Sequence, residues 1–245
     1  MKLCIAGTSA ITTENRELVE EIPYVLESFI YIKDWQYPII KKAKLFLLDS
    51  GGFTFIFSYK KEITEEVINE YLQRYIDFIN EQDVKYFFNL DLDTVIGVEK
   101  TEELRRRLEK GTGKKCIPVW HKCMGLESWK KLTKEYDYVA IGTIKEWISY
   151  PLALKKLNQI AKKNHCEVHG LGYTKTNAKE LGFYSVDSTS WKSGNMYGRL
   201  MIFKHNKMAG VKLKNKRLKS GDMYSVVEKH CLQEWLKYQK YLDRS

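Results

Sequence analysis

Cysteine is sparse and unpatterned in this chain. The five cysteines are Cys4, Cys116, Cys123, Cys166 and Cys231; none forms a Cys-x-x-Cys pair and the count is odd. That argues against a disulfide framework and leaves no ligand grammar for a structural zinc. Scattered free thiols suit a reducing compartment, so a cytoplasmic setting is expected. Long apolar runs are missing as well. None approaches the ~18 residues of a membrane span, and Met1-Lys2-Leu3-Cys4-Ile5-Ala6-Gly7 reads as an opening strand rather than a signal peptide. No Gly-x-Gly-x-x-Gly follows that first strand and no Walker pattern occurs, which weakens nucleotide-binding open-sheet readings.

What the chain has is basic charge, unevenly placed. The net charge over 245 residues is +10. Residues 199–245 hold 12 Lys/Arg against 4 Asp/Glu, whereas 1–198 hold 29 against 27. A polyanionic partner is implied, and Lys207, Lys212, Lys214, Lys216, Arg217 and Lys219 form a run without an acid. A solvated loop or the lysine decoration of an edge strand has the same composition.

Short apolar runs alternate with amphipathic segments. Strands are expected at Leu3–Ala6, Leu45–Leu48, Tyr86–Leu90, Ile117–Trp120, Tyr138–Ile141, Cys166–Val168, Tyr184–Val186 and Leu200–Phe203. Helices are expected over 64–79, 101–110, 126–135, 151–163, 175–181 and 221–242. Val67, Ile68, Tyr71, Leu72, Tyr75, Ile76 and Ile79 make a 3.6-period face, with Thr64 as N-cap. Eight buried strands separated by helices imply a parallel (β/α)8 barrel, with a doubly wound open sheet as the alternative. The catalytic domain is drawn over 1–205, with a basic loop and a final helix over 206–245.

Active sites of such barrels lie at the C-terminal strand ends. Those ends carry Asp49-Ser50-Gly51-Gly52-Phe53, then Asp91 and Asp93, His121, Gly142, His169-Gly170-Leu171-Gly172 and Asp187-Ser188. Any one of these aspartates reads equally well as a helix N-cap. Convergence changes the balance, because carboxylates crowded at one mouth raise each other's pKa at a cost. Paired carboxylates with aromatics fit chemistry at an anomeric carbon, one attacking C1 and another moving the leaving group's proton. The glycines would let a flat ring approach the backbone, and Phe53 and His169 offer stacking faces. Asp91 or Asp93 suits the N–H edge of a guanine-like base. His121 and His169 with the aspartates could ligate a metal, but no metal or cofactor is expected.

The motifs resemble those of the tRNA-guanine transglycosylases, the queuine and archaeosine insertion enzymes. Asp49-Ser50-Gly51-Gly52-Phe53 is similar to the family's Asp-Ser-Gly-Gly-Phe/Tyr motif. Asp91-Leu92-Asp93-Thr94 resembles its Asp-x-x-Thr base-recognition segment. Tyr138-Val139-Ala140-Ile141-Gly142 and His169-Gly170-Leu171-Gly172 resemble its Tyr-Ala-Ile-Gly-Gly strand and Met-Gly-Val-Gly turn. Val186-Asp187, with Ser188–Trp191 and Gly198, stands at the family's nucleophile and phosphate loop. The likeness spans about residues 45–200.

The resemblance implies a TIM barrel that exchanges guanine for a 7-deazaguanine. In it Asp187 is the nucleophile at C1′ and Asp49 the general acid/base. Asp91 reads the base, with Asp93 as the alternative; Ser50, Gly51, Phe53, His121, Gly142, His169 and Gly170 complete the base site. Lys192, Arg199, Lys212, Lys214, Lys216 and Arg217 hold phosphates. Two departures stand out. Pro118-Val119-Trp120-His121 replaces the family's Val-Gln-Gly, and the Cys-x-Cys-x-x-Cys…His zinc site is missing. Both, with the short chain, resemble the compact members from bacteriophages and genomic islands that modify DNA. DNA is therefore expected before tRNA, and a non-catalytic nucleic-acid-binding subunit is the further alternative.

Overall fold

The computed structural model describes residues 1–58, 64–142, 147, 149–175, 177–213, 218 and 222–244; the side chains of Phe53, Phe57, Ser58 and Asp222 lie outside the description. Eight parallel strands run β1 (Lys2–Ala6), β2 (Tyr24–Ser28), β3 (Leu45–Asp49), β4 (Tyr86–Phe87), β5 (Val119–Trp120), β6 (Tyr138–Ile141), β7 (Glu167–Gly170) and β8 (Ser185–Ser188). Their spatial order is β4-β3-β2-β1-β8-β7-β6-β5. A parallel bridge from Phe88 to Ile117 joins the two outer strands, so the sheet closes on itself. Ile117 N donates to Phe87 O at 2.7 Å, and the Asn89 side chain accepts from Val119 N at 2.7 Å. The fold is an α/β barrel of the TIM type.

Strand alternation sorts the side chains. Cys4, Ala6, Tyr24, Leu26, Leu45, Leu47, Phe88, Ile117, Val119 and Ala140 fill the interior. Leu3, Ile5, Val25, Phe46, Leu48 and Val186 face the helices. Tyr86, Tyr138 and Tyr184 pack edge to face at the N-terminal end, with ring centroids 6.2 and 5.4 Å apart. The floor is therefore closed, and the open end is the C-terminal mouth.

The helices Glu65–Glu81, Val98–Thr112, Gly125–Glu135, Pro151–Lys163 and Asp222–Arg244 fall where periodicity places them. Thr64 caps the first through Val67 N. Three expectations need correction. β2 is a barrel strand that the sequence reading lacks, because Glu27 interrupts its apolar run at a helix-facing position. That carboxylate is buried and accepts from Thr8 Oγ1, Ser9 N and Gln36 Nε2 at 3.1, 2.8 and 3.0 Å. The run Leu200–Phe203 is not a barrel strand. It lies in β9 (Arg199–Lys204), which forms an antiparallel hairpin with β10 (Lys207–Lys212) through the positive-φ pair His205-Asn206. Finally, 177–182 is a set of turns rather than a helix, although Ala178 and Leu181 are buried as a helical face would be. Gly172 and Gly182, at φ +70° and +88°, bracket this short crossover.

Residue 205, where the catalytic domain is drawn to end, lies in the turn of the β9–β10 hairpin. Asp222–Arg244 follows the hairpin in the chain and packs back on β1 and β9. Gln239 Nε2 donates to Leu3 O at 2.7 Å, and Glu234 accepts from Phe203 N at 2.7 Å. No helix among the described residues is long and apolar enough to cross a membrane.

Candidate active site

The mouth gathers Asp49, Asp91 and Asp187 from the ends of β3, β4 and β8. Asp49 is the last residue of β3, and the next residues turn sharply. Gly51 N donates to Asp49 Oδ2 at 3.1 Å, and Gly51 adopts φ +70°. Its missing Cβ would lie 2.8 Å from Ile30 and Ser28, so only glycine fits this turn. Ser50 is buried, and its carbonyl accepts from the Tyr71 hydroxyl. Phe53 follows in the helix Gly52–Ser58. Burial is the main reason that the Asp49 carboxyl is pushed up to about 6; the Gly51 amide opposes the rise, and the nearby Asp91 and Asp187 carboxylates add to it. The predicted convergence of carboxylates is thus present in space.

Asp187 sits in β8 opposite Cys4 of β1. Its Oδ1 accepts from Gly172 N at 2.6 Å and lies 3.2 Å from His169 Nε2. No hydrogen bond reaches Oδ2 from the described residues. The other ring nitrogen, His169 Nδ1, is 2.5 Å from Ser185 Oγ, and Ser185 also meets the Tyr138 hydroxyl. Burial first, and Asp187 second, hold the Cys4 thiol beneath it well above the usual range, so that thiol stays protonated.

Asp91 pairs with His121. Nε2 and Oδ1 are 2.7 Å apart, and Asp93 Oδ1 is 3.7 Å from the same nitrogen. Burial raises the Asp91 carboxyl, His121 draws it back and Asp93 pushes it up again. The two aspartates differ in access: the Asp91 side chain is 28% exposed and that of Asp93 only 3%. Asp93 turns instead to Cys123, whose Sγ lies 3.6 Å from Oδ2. Asp91, Asp93 and His121 each offer one ligand atom, all within 4.8 Å of one another.

Several assigned residues act differently from expectation. His169 is fully buried and leans on Phe88, with centroids 5.4 Å apart; it supports Asp187 and offers no face for stacking. The predicted ring bed of glycines is mostly filled by the protein itself. A Cβ on Gly142 would meet His121 at 2.3 Å, and one on Gly170 would meet Phe183 at 3.0 Å. Gly172 alone among the mouth glycines beside Asp187 has nothing within 4 Å of that position. Ser185 and Cys123 also belong to the site, through His169 and Asp93. Ser185 is legible as the inward neighbour two residues before Asp187, whereas nothing in the sequence ties Cys123 to Asp93.

The basic residues divide. Lys192 is half-buried and lies across Gly7 at the end of β1, where burial lowers its pKa and Glu27 and Glu228 partly restore it. Arg199 and Lys212 are exposed register partners at one end of the hairpin. Lys214, Lys216 and Arg217 lie outside the described residues, as does the Phe53 side chain.

No protein-family model and no curated protein matches this chain. Among solved structures it is similar to the carboxyl transferase domain of Rhizobium etli pyruvate carboxylase, at TM-score 0.51 and 10% identity over 97% of this chain. It spans only 47% of that chain. A second match is 3-hexulose-6-phosphate synthase from Salmonella typhimurium, at TM-score 0.45 and 13% identity, covering 97% of this chain and all of that one. Both are enzymes. The first likeness agrees with the barrel that the strand pairing defines, and at this identity it speaks for the fold alone.

Proposed function

We propose that this chain is a base-exchange transglycosylase that replaces guanine by a 7-deazaguanine derivative in nucleic acid, DNA before tRNA. The observation that carries the reading is the convergence of Asp49, Asp91 and Asp187 at one barrel mouth, each in a different environment. Asp187 is anchored through Oδ1, leaving Oδ2 to attack C1′. As the Oδ2–C1′ ester forms, the bond from C1′ to guanine N9 breaks and its electron pair stays on the base. Asp49, with a carboxyl near 6, supplies the proton. The incoming base then gives its N9 proton to the Asp49 carboxylate and attacks C1′, and the ester opens. Two inversions retain the anomeric configuration. Asp91, steadied by His121, accepts hydrogen bonds from the base's N–H edge; buried Asp93 is the less suited of the two. Lys192 and the Arg199–Lys212 pair would hold phosphates and offset part of the few kcal/mol needed to extrude a base from duplex.

The test is incubation with labelled guanine and either DNA or bulk tRNA, using the wild-type and Asp187→Asn chains. Label in DNA with wild type alone supports the reading; label in tRNA alone moves the substrate. Equal label with Asp187→Asn removes the mechanism. The set of Asp91, Asp93 and His121 favours one second reading, a metal-assisted barrel enzyme. It makes chelation abolish activity and a divalent cation restore it, whereas base exchange as written is indifferent to chelator.

A further inference from the structure

Beside the mouth, on the β5–β6 side, lies an apolar groove of ≈ 330 Å³ between the helices Gly125–Glu135 and Pro151–Lys163. Trp120, Trp147, Leu126 and Ile160 line it, and its charged lining residues are Lys122 and Lys156. No carboxylate lines it among the described residues. Apolar surface is exposed here: Leu126 in the lining is 48% exposed, and Tyr150, beside Lys122, is 55% exposed. The Lys122 ammonium stands 5.7 Å from the Trp147 ring centroid and 5.4 Å from that of Tyr150. Lys122 directly follows His121, the partner of Asp91, so the groove starts one residue along the chain from the candidate base site.

We infer that this groove takes the unstacked base of a nucleotide flanking the target in single-stranded nucleic acid. The base packs on Tyr150 and the apolar lining, and its phosphates meet Lys122 and Lys156. The inference rests on nucleic acid being the substrate. Single-strand sites combine cations that follow the backbone with aromatic rings that stack on any base; here Lys122 and Lys156 supply the cations and exposed Tyr150, beside Lys122, the ring. A volume of that size suits one heterocycle. Charge argues against a second copy of this chain. An isologous contact would bring lysines against lysines in a protein already carrying +10.

The experiment uses the full chain carrying Asp187→Asn, so that no turnover intervenes. Binding of a labelled single-stranded oligodeoxynucleotide is followed by anisotropy across a salt series. Adding Tyr150→Ala is expected to weaken binding about tenfold without changing the salt slope. Adding Lys122→Ala with Lys156→Ala is expected to flatten the slope by about 1.4. Tyr150 and both lysines are exposed, and circular dichroism checks that the variants are folded. Binding unchanged by all three substitutions overturns the inference. So does a concentration-dependent dimer that Tyr150→Ala dissociates, which would give the face to a second copy. If the labelled-guanine assay succeeds while these variants bind normally, only the groove assignment falls. If exchange is absent but the variants lose binding as stated, the groove stands and the base-exchange reading falls.

Discussion

His169 Nε2 lies 3.2 Å from Asp187 Oδ1 while its Nδ1 rests on Ser185 Oγ, so one fully buried imidazole fixes the carboxylate of β8 from below. With Gly172 N on the same oxygen, the geometry aims Oδ2 at the open mouth. Replacing Ser185 by Ala frees the ring without touching substrate. The expected result is a kcat about tenfold lower with KM little changed, and a stability loss of about 1–2 kcal/mol for the lost buried hydrogen bond. Steady-state kinetics and thermal unfolding check both.

Asp49 is held partly protonated at a cost to the fold. A carboxyl that rises from 3.8 to about 6 in the folded chain binds more protons there than when unfolded. Stability is therefore greatest below about pH 4 as far as this group is concerned, and falls as pH rises through about 6. The shift corresponds to at most about 3 kcal/mol, reduced to about 1–2 by the open side of the mouth. Asp49→Asn should therefore raise Tm at pH 7.5, leave it nearly unchanged at pH 4 and abolish exchange. An equal change at both pH values contradicts the raised carboxyl.

Gly142 makes room for His121. A Cβ there would stand 2.3 Å from His121 Cε1 and 2.8 Å from Val119 Cγ1, so Gly142→Ala must displace the imidazole from Asp91. Overpacking of this kind costs about 1–3 kcal/mol. The expected kinetic signature is a KM for free guanine raised about tenfold, because Asp91 loses its partner. A KM unchanged in a folded Gly142→Ala chain would detach the Asp91–His121 pair from base recognition.

The hairpin end carries a pair of cations. Arg199 and Lys212 are register partners, and the Arg199 side chain lies flat over Gly210. Replacing both by Ala should lower the slope of log binding constant against log salt by about 1.4 on single-stranded DNA. Exchange on free guanine at saturating DNA should change little. An unaltered slope would leave these residues as edge-strand decoration.

The barrel is legible because burial on both strand faces leaves near-continuous apolar runs at β1, β3 and β6. β2 escapes because Glu27 stands at a helix-facing position, and only its bonds to Thr8, Ser9 and Gln36 explain a carboxylate there. Leu200–Phe203 misleads for the opposite reason: an apolar run does not name its partner, and this one pairs with β10 and packs on the final helix. Asp49, Asp91 and Asp187 are visible at strand ends. Which of Asp91 and Asp93 faces solvent, and what His169 supports, depend on side-chain direction, which spacing does not encode.

The most direct measurement is trapping of the sugar–enzyme ester. Wild-type chain, incubated with single-stranded DNA without an incoming base and quenched in denaturant, is run beside Asp187→Asn and Asp49→Asn. A protein–DNA adduct in wild type, lost in Asp187→Asn and mapped by mass spectrometry to the peptide containing Asp187, is the expected result. An adduct of equal yield in Asp187→Asn, or exchange of labelled guanine that persists in it, would contradict the covalent role of Asp187 and with it the proposed reaction.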